Sequence, residues 1–203
     1  MYEVSKYLCA AGWRARGSVI DVEEQRFDID RFHRWALGNL VSNTNRGIFA
    51  EWLVGQALES IGDREVREEW DECDLRYRGL KIEVKTSGLD QTWHQDRRSP
   101  PRFDIKRRTW IWDAQTGEST PHDPPIRPAD LYVFCLHEPI PATNPNVREP
   151  EAWKFWVVSK RTLDNQLGPQ KSVGLSTLSE LTAPLGWSDL RAEVDRCIKE
   201  VRS

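Results

Sequence analysis

One short segment restricts the fold of this chain more than any other: the run LYVFCL at residues 131–136, which is apolar throughout. A strand with one face in water alternates apolar and polar residues, whereas a strand covered on both faces is continuously apolar. The run therefore predicts a central strand that is buried on both sides, with Cys135 as a small buried hydrophobe. Such a strand needs a sheet with other elements packed against it.

Helices are predicted on both sides of this run in the sequence. Residues 28–40 and 46–60 show apolar residues at helical spacing, with Asp28 or Asp30 as the N-cap of the first helix and Gly62 ending the second. A Ser-capped helix is expected after Ser159, and a final amphipathic helix over about 188–201.

Strands are predicted where apolar and polar residues alternate over short segments. The predicted strands are 65–70, 74–78, 80–86 and 153–158, in addition to 131–136. The second and third are joined by a tight turn at Arg78–Gly79. The order of helices and strands predicts an α/β fold in which a central mixed sheet is flanked by helices.

The domain organisation follows from this order. Residues 1–42 are expected to add a helical extension packed on the core, and residues 43–203 to form the main domain. A loop-rich insertion at about 87–128 contains the segment RTWIWD, which together with the turn after it predicts a small exposed hairpin. This insertion is expected near the hairpin that joins strands 74–78 and 80–86.

Composition excludes several classes of protein. No apolar run approaches the roughly 20 residues needed to span a bilayer, and no signal-like segment opens the chain, so a cytoplasmic location is expected. The 4 cysteines are scattered without a CxxC pair, which disfavours a structural zinc site and disulfides. A net charge of -3 argues against a protein that coats nucleic acid nonspecifically, but it leaves room for local basic patches.

The residues that carry chemistry lie on the predicted hairpin. Asp74 is followed by Glu83, Val84 and Lys85, and residues two apart in a strand share a face, so Glu83 and Lys85 project together. The tight turn brings Asp74 beside them. Two adjacent carboxylates repel each other, and a hard dication such as Mg²⁺ relieves that repulsion. A lysine on the same face orients a metal-bound water or stabilises charge on a phosphate.

This arrangement resembles the PD-(D/E)xK phosphodiesterase superfamily, which includes restriction endonucleases and Holliday-junction resolvases. Asp74, Glu83 and Lys85 match the acidic, acidic and basic positions of the motif, while Cys73 stands where the motif usually has proline. The helix entry with Asn43, Arg46, Gly47, Ala50 and Glu51 is also similar to these nucleases, and Glu51 matches a helix glutamate near the metal. The resemblance covers about residues 43–90 well, and residues 130–165 in strand order.

The resemblance implies a restriction-endonuclease-like core, an extra N-terminal helical segment and a catalytic role for each matched residue. Asp74 and Glu83 would hold Mg²⁺, for which Mn²⁺ can substitute, together with the Val84 carbonyl. Lys85 would position the attacking water, and Glu51 would orient the metal's hydration shell or support a second ion. The implied substrate is DNA, and many such nucleases are homodimers because cutting both strands needs two sites.

Further candidates lie after the lysine strand. Gln91 is a candidate contact to the scissile phosphate or the water, and Ser87 a similar one; the alternative for both is a solvated polar residue. Trp93 is a candidate for base stacking, or else a core residue, and His94 is a weaker candidate base. Six basic residues are candidates for gripping phosphates, or else belong to a solvated loop: Arg97, Arg98, Arg102, Lys106, Arg107 and Arg108.

The sequence therefore predicts a Mg²⁺-dependent nuclease, most directly an endonuclease acting on DNA in defence or DNA processing. Two alternatives remain open at this stage. One is a non-catalytic DNA-binding or protein-interaction module on the same fold. The other is an interaction domain in which Asp74 and Glu83 lie apart. Arg46 either has a structural partner or reaches a phosphate. No phosphate-binding loop is present, so no nucleotide cofactor is expected.

Overall fold

The computed structural model describes residues 19–22, 25–62, 66–69, 71–113, 116–139 and 146–202. The chain divides into two compact units at Asn39/Leu40. The elements of the first unit are β1 (Val19–Val22), β2 (Gln25–Asp28) and α1 (Ile29–Leu37). Those of the second are α2 (Asn43–Leu58), β3 (Leu75–Tyr77), β4 (Leu80–Gly88), β5 (Arg102–Asp104), β6 (Arg108–Asp113), β7 (Glu118–Ile126), β8 (Leu131–His137), β9 (Trp153–Ser159), α3 (Lys160–Leu167), β10 (Ser172–Gly174), α4 (Leu175–Leu181) and α5 (Trp187–Arg202).

The first unit contains more than the predicted helix. β1 and β2 pair as an antiparallel hairpin that the sequence pattern did not predict. The helix begins after Asp28, whose side chain accepts a hydrogen bond from the Arg31 amide, so the predicted cap is confirmed. Residues 1–18 of the expected extension lie outside the described residues, and its packing on the core remains a prediction.

The second unit is built on a sheet of four strands in the order β3-β4-β8-β9. β4 and β8 are parallel, while the β3–β4 and β8–β9 pairs are antiparallel, so the sheet is mixed. All seven residues of β8 are buried. The predicted central strand and the α/β class with a mixed sheet are therefore confirmed.

Alternation along β8 sends side chains into two separate cores. Leu131, Val133 and Cys135 join a core built with α2 and α5. Tyr132 and Phe134 join a second core built with α3, α4, β5 and β10. The sheet thus has helices on both faces, which is why its middle strand is apolar at every position.

Two local predictions are wrong. Residues 66–69, part of the predicted strand 65–70, form no strand; this segment is strongly charged, and Arg67 pairs with Glu51 on α2 rather than entering a ladder. The second helix ends at Leu58, before Gly62, because Glu59 takes up the left-handed conformation at its C-cap. Glu59 thus adopts the left-handed conformation that glycine usually adopts at the end of a helix.

The connection between β4 and β8 holds the predicted insertion. β6 and β7 form the expected antiparallel hairpin, whose turn residues 114–115 lie outside the described residues. β5 pairs with β10 in a small separate sheet that was not predicted. The final helix and the Ser159-capped helix α3 are confirmed. In the described part of the chain, no helix has the length and apolarity required to cross a membrane.

Candidate active site

The β3–β4 hairpin sets the spacing of the candidate residues. Its two turn residues, Arg78 and Gly79, have φ values of 49° and 79°, as a two-residue type I′ turn requires. The register pairs Tyr77 with Leu80 and Leu75 with Ile82. Asp74 lies just before β3, beyond the last registered pair, and its amide donates to the Ile82 carbonyl at 3.1 Å.

The Asp74 carboxylate is anchored to the backbone of β4. Its Oδ2 accepts a hydrogen bond from the Val84 amide at 2.6 Å. Burial, followed by the negative charges of Glu83 and Glu51, raises the pKa of Asp74 to about 7, against the opposing effects of the Val84 hydrogen bond and Lys85. Asp74 is therefore a partly desolvated carboxyl group close to two other carboxyl groups.

Glu83 is almost completely buried, with 3% of its surface exposed. Its Oε1 accepts from Lys85 Nζ at 2.5 Å and from Arg108 Nη2 at 2.8 Å. Its Oε2 is buried and has no hydrogen-bond partner. A buried carboxylate oxygen without a partner is costly, and it is available to a ligand such as a cation.

Glu51 reaches the same neighbourhood from α2. Its charge contributes to the raised pKa of Asp74. Both of its carboxylate oxygens are held by Arg67, at 2.5 Å from Nε and 3.0 Å from Nη2. The structure thus brings Glu51 close to the carboxylate pair, but in a bidentate pair with an arginine that the sequence did not single out.

A cleft of 440 Å³ opens beside Glu83 and Lys85. Its walls include the basic segment Lys106, Arg107 and Arg108, and also Trp110 and Tyr132. Burial and then the charge of Glu83 raise the pKa of the Tyr132 hydroxyl. The cleft places Glu83 and Lys85 beside a positively charged wall, which suits a polyanion.

A buried arginine holds the basic wall of the cleft in position. Arg127 is fully buried, donates to the Ile105 carbonyl at 3.0 Å, and pairs with Asp164 on α3. Arg107 binds the same Asp164 oxygen at 2.9 Å. These contacts hold the chain just before β6, so the wall has a defined position. Neither Arg127 nor Asp164 was predicted, since they lie 37 residues apart in sequence.

The other predicted basic residues are not among those that line the cleft. Arg98 pairs with Asp90 at 2.8 Å, and Arg102 bonds to the Ser172 hydroxyl at 3.3 Å. Arg97 is exposed. Only the second half of the basic stretch, Lys106 to Arg108, therefore lines the cleft beside Glu83, and Arg108 bonds to Glu83 directly.

The candidate residues that follow Lys85 make few contacts. Gln91 donates to the Gly88 carbonyl at 3.3 Å, and its Oε1 is buried without a partner. Ser87 lies within β4, opposite Leu136, and is partly buried. Trp93 is exposed, so its alternative as a core residue is wrong, and the exposed His94 bonds to Asp96 at 3.2 Å.

Arg46 is buried and bonds to groups of the protein itself. It is 2% exposed, and its Nη1 donates to the carbonyls of Val41 and Asp90 at 3.0 and 2.9 Å. Its Nη2 bonds to Asn43. Gly88 packs so closely that a Cβ there would lie 2.5 Å from Arg46 Nη1. Arg46 thus joins the start of α2 to the segment that follows β4, which is the structural alternative that the sequence left open.

The described residues contain no group of three or more His, Cys, Asp or Glu side chains that forms a ready-made metal site. Asp74 and Glu83 still fit a cation: both are acidic, the charge of Glu83 raises the pKa of Asp74, and one Glu83 oxygen lacks a partner. Mg²⁺ keeps several waters and is often bound by one or two carboxylates. Two carboxylates therefore suffice for such an ion.

Comparison of the chain with profiles of known protein families and with curated proteins gives no match. What the chain does is therefore inferred from these side chains and their surroundings.

Proposed function

We propose that this protein is a Mg²⁺-dependent nuclease that hydrolyses phosphodiester bonds in DNA, on a restriction-endonuclease-like fold. One observation carries the proposal. The charge of Glu83 contributes to the raised pKa of Asp74, Glu83 Oε2 has no hydrogen-bond partner, and Lys85 contacts Glu83 from the same strand. Two carboxylates brought together in a buried place favour a bound dication.

The strand order supports the fold part of the proposal. A helix, α2, precedes the β3–β4 hairpin, and β4 runs parallel to β8. The PD-(D/E)xK resemblance implies a helix, a three-strand meander, a helix and a further strand. The first helix, the β3–β4 hairpin and the later strand β8 agree with that order, whereas residues 66–69 form no strand and β5 to β7, rather than a helix, lie between β4 and β8 in the described residues. The helix glutamate Glu51 is close enough to influence Asp74, as expected if the helix contributes to the same site.

The residues that would hold Mg²⁺ are Asp74, Glu83 and the Val84 carbonyl. In an extended strand the N–H and C=O of one residue face the same edge, so the Val84 carbonyl lies on the edge where its amide meets Asp74. When bound, Mg²⁺ supplies charge neutralisation on the phosphate and a more acidic water.

The chain's own groups then have separate tasks. The Lys85 ammonium, 2.5 Å from Glu83, orients the attacking water and stabilises negative charge that builds on the phosphate. When Glu83 holds the metal ion, Arg108 binds a phosphate oxygen instead. Lys106 and Arg107 bind neighbouring phosphates. Asp74 must be deprotonated to act as a ligand, and its pKa of about 7 puts that change in the neutral range.

The alternative function is a non-catalytic nucleic-acid-binding module. The observation that favours it is that Lys85 and Arg108 both neutralise Glu83 and that Arg67 engages both oxygens of Glu51. The basic cleft would serve such a module equally well. Only a catalytic site requires the carboxylates to remain ionised and accessible to a cation.

The experiment that separates the two functions is a cleavage panel. End-labelled DNA and RNA, each single- and double-stranded, are incubated with the protein in Mg²⁺, Mn²⁺ or EDTA, beside a Glu83→Gln variant of nearly equal shape. The nuclease proposal expects metal-dependent cleavage of DNA that the variant loses. Tight DNA binding without cleavage in either metal overturns it and favours the binding module.

A further inference from the structure

The β6–β7 hairpin turns two large aromatic side chains outward. Trp110 and Trp112 are 61% and 45% exposed, whereas Ile111 between them is buried. Successive residues of a strand point to opposite faces, so the two tryptophans share one face and the smaller Ile111 anchors the other. This reverses the usual preference, in which the largest apolar side chains are buried.

The neighbours of these rings leave them uncovered. Across the hairpin, Trp110 pairs with Pro121 and Trp112 with Ser119, both much smaller than an indole. Among the described aromatic side chains, none contacts either ring as a stacked or edge-on partner. Exposed aromatic pairs of this kind mark binding surfaces.

The exposed face is continuous with the cleft. Arg108, which precedes the two tryptophans in β6, reaches Glu83 at 2.8 Å, and both Arg108 and Trp110 line the cleft. Positive charge is concentrated at this end of the hairpin, on Lys106, Arg107 and Arg108. The far end carries Asp113 and Glu118, which places the polyanion at the cleft end.

We propose that Trp110 and Trp112 form a stacking platform for unpaired bases of the nucleic acid whose phosphates lie in the basic cleft. The inference builds on the proposed nuclease function and narrows its substrate: the strand beside the carboxylate pair is single-stranded, or locally unpaired. Bases inside a duplex stack on each other and present no free face, whereas unpaired bases stack on aromatic side chains without sequence preference. The adjacent cations supply the phosphate contacts that a peptide partner would not need.

The test measures binding in EDTA, where metal-dependent cleavage is blocked. A labelled single strand of about 20 nucleotides and its duplex are titrated by fluorescence anisotropy with the full chain and a W110A/W112A variant. The variant is expected to bind the single strand about tenfold or more weakly than the wild type, and the duplex within about twofold. A W110F/W112F variant should recover most single-strand affinity, because phenyl rings also stack.

Trp52→Ala is the matched control, since Trp52 is another exposed tryptophan, on α2, and its ring stacks on Phe49. It should leave both affinities unchanged. The platform is overturned if wild type does not bind the single strand, if W110A/W112A weakens both forms equally, or if the Phe pair fails to recover binding. Thermal melting confirms that each variant is folded.

Adding Mg²⁺ to the same samples distinguishes this proposal from the nuclease proposal. Loss of single-strand binding in W110A/W112A supports the platform even if wild type cuts neither form, in which case only the catalytic function fails. Metal-dependent cleavage by wild type that W110A/W112A performs at an unchanged rate, with unchanged binding, overturns the platform and leaves the catalytic function standing.

Discussion

Asp74 and Glu83 are two carboxyl groups that one hairpin brings near each other, where burial together with the nearby charge of Glu83 raises the pKa of Asp74 to about 7. Charging both of these neighbouring carboxyl groups costs free energy in the folded state. A site built only for stability would place an apolar or neutral residue there. The pair therefore links the protein's stability to pH and to cations.

The first prediction concerns stability without metal. The folded-state pKa of Asp74 lies above its ordinary value of 3.8, so its ionisation destabilises the fold, and the loss grows as pH rises from about 4 to about 7. In EDTA, Asp74→Asn should melt about 3–8 °C above wild type near pH 8, and the two should melt together near pH 4. A melting difference that is the same at both pH values would contradict this account; circular dichroism measures it.

The second prediction concerns Mg²⁺ affinity. A cation competes with the proton on Asp74, so wild-type affinity should rise by up to about tenfold per pH unit below pH 7 and level off above it. Isothermal titration calorimetry in two buffers of different ionisation enthalpy should also detect proton release. Asp74→Asn should bind weakly at every pH. Affinity that does not change with pH in the wild type would show that Asp74 is not a ligand.

The third prediction concerns Arg108, which shares Glu83 Oε1 with Lys85. Arg108→Gln removes one competing cation, so Mg²⁺ should bind about two- to fivefold more tightly, while single-stranded DNA should bind more weakly. Arg102→Gln, which removes a contact to Ser172 outside the cleft, is the matched control and should leave Mg²⁺ affinity unchanged. Equal effects of the two variants on Mg²⁺ binding would rule out competition at Glu83.

The fourth prediction concerns the fold around the site. Arg46→Ala leaves the carbonyls of Val41 and Asp90 without their buried donor and should lower the free energy of unfolding by about 3–5 kcal/mol. Arg191→Ala removes a surface pair with Glu59 and should leave the free energy of unfolding nearly unchanged. Urea denaturation measures both. Similar small losses would mean that Arg46 does not join α2 to β4.

The parts of the fold that could be read from sequence are those governed by local pattern. β8 was predictable because both of its faces are covered, and the β3–β4 hairpin because Arg78–Gly79 suits a two-residue turn. The same reasoning failed at residues 66–69, where alternating charge resembled a strand but Arg67 pairs with Glu51 instead. Nothing in the local pattern distinguishes these two outcomes.

The candidate site divides in the same way. Asp74, Glu83 and Lys85 were found because the turn and the alternation of a strand place them together. The partners that define their charge state come from far along the chain: Arg108 lies 25 residues from Glu83, and Arg67 lies 16 from Glu51. The shared exposure of Trp110 and Trp112 could not be read from their segment of alternating aromatics, because only the burial of Ile111 shows which face of the strand points outward.

The most direct test of the catalytic proposal compares two lysines on one strand. Lys85 contacts Glu83, whereas Lys81 pairs with Glu72 at 2.6 Å, so Lys85→Met and Lys81→Met make the same chemical change in different settings. Initial rates of Mg²⁺-dependent DNA cleavage are measured for both variants and the wild type. The account predicts that Lys85→Met lowers the rate by about 100-fold or more while Lys81→Met stays within about twofold of wild type. Equal rates for the two variants would contradict the assignment of Lys85 to the chemistry.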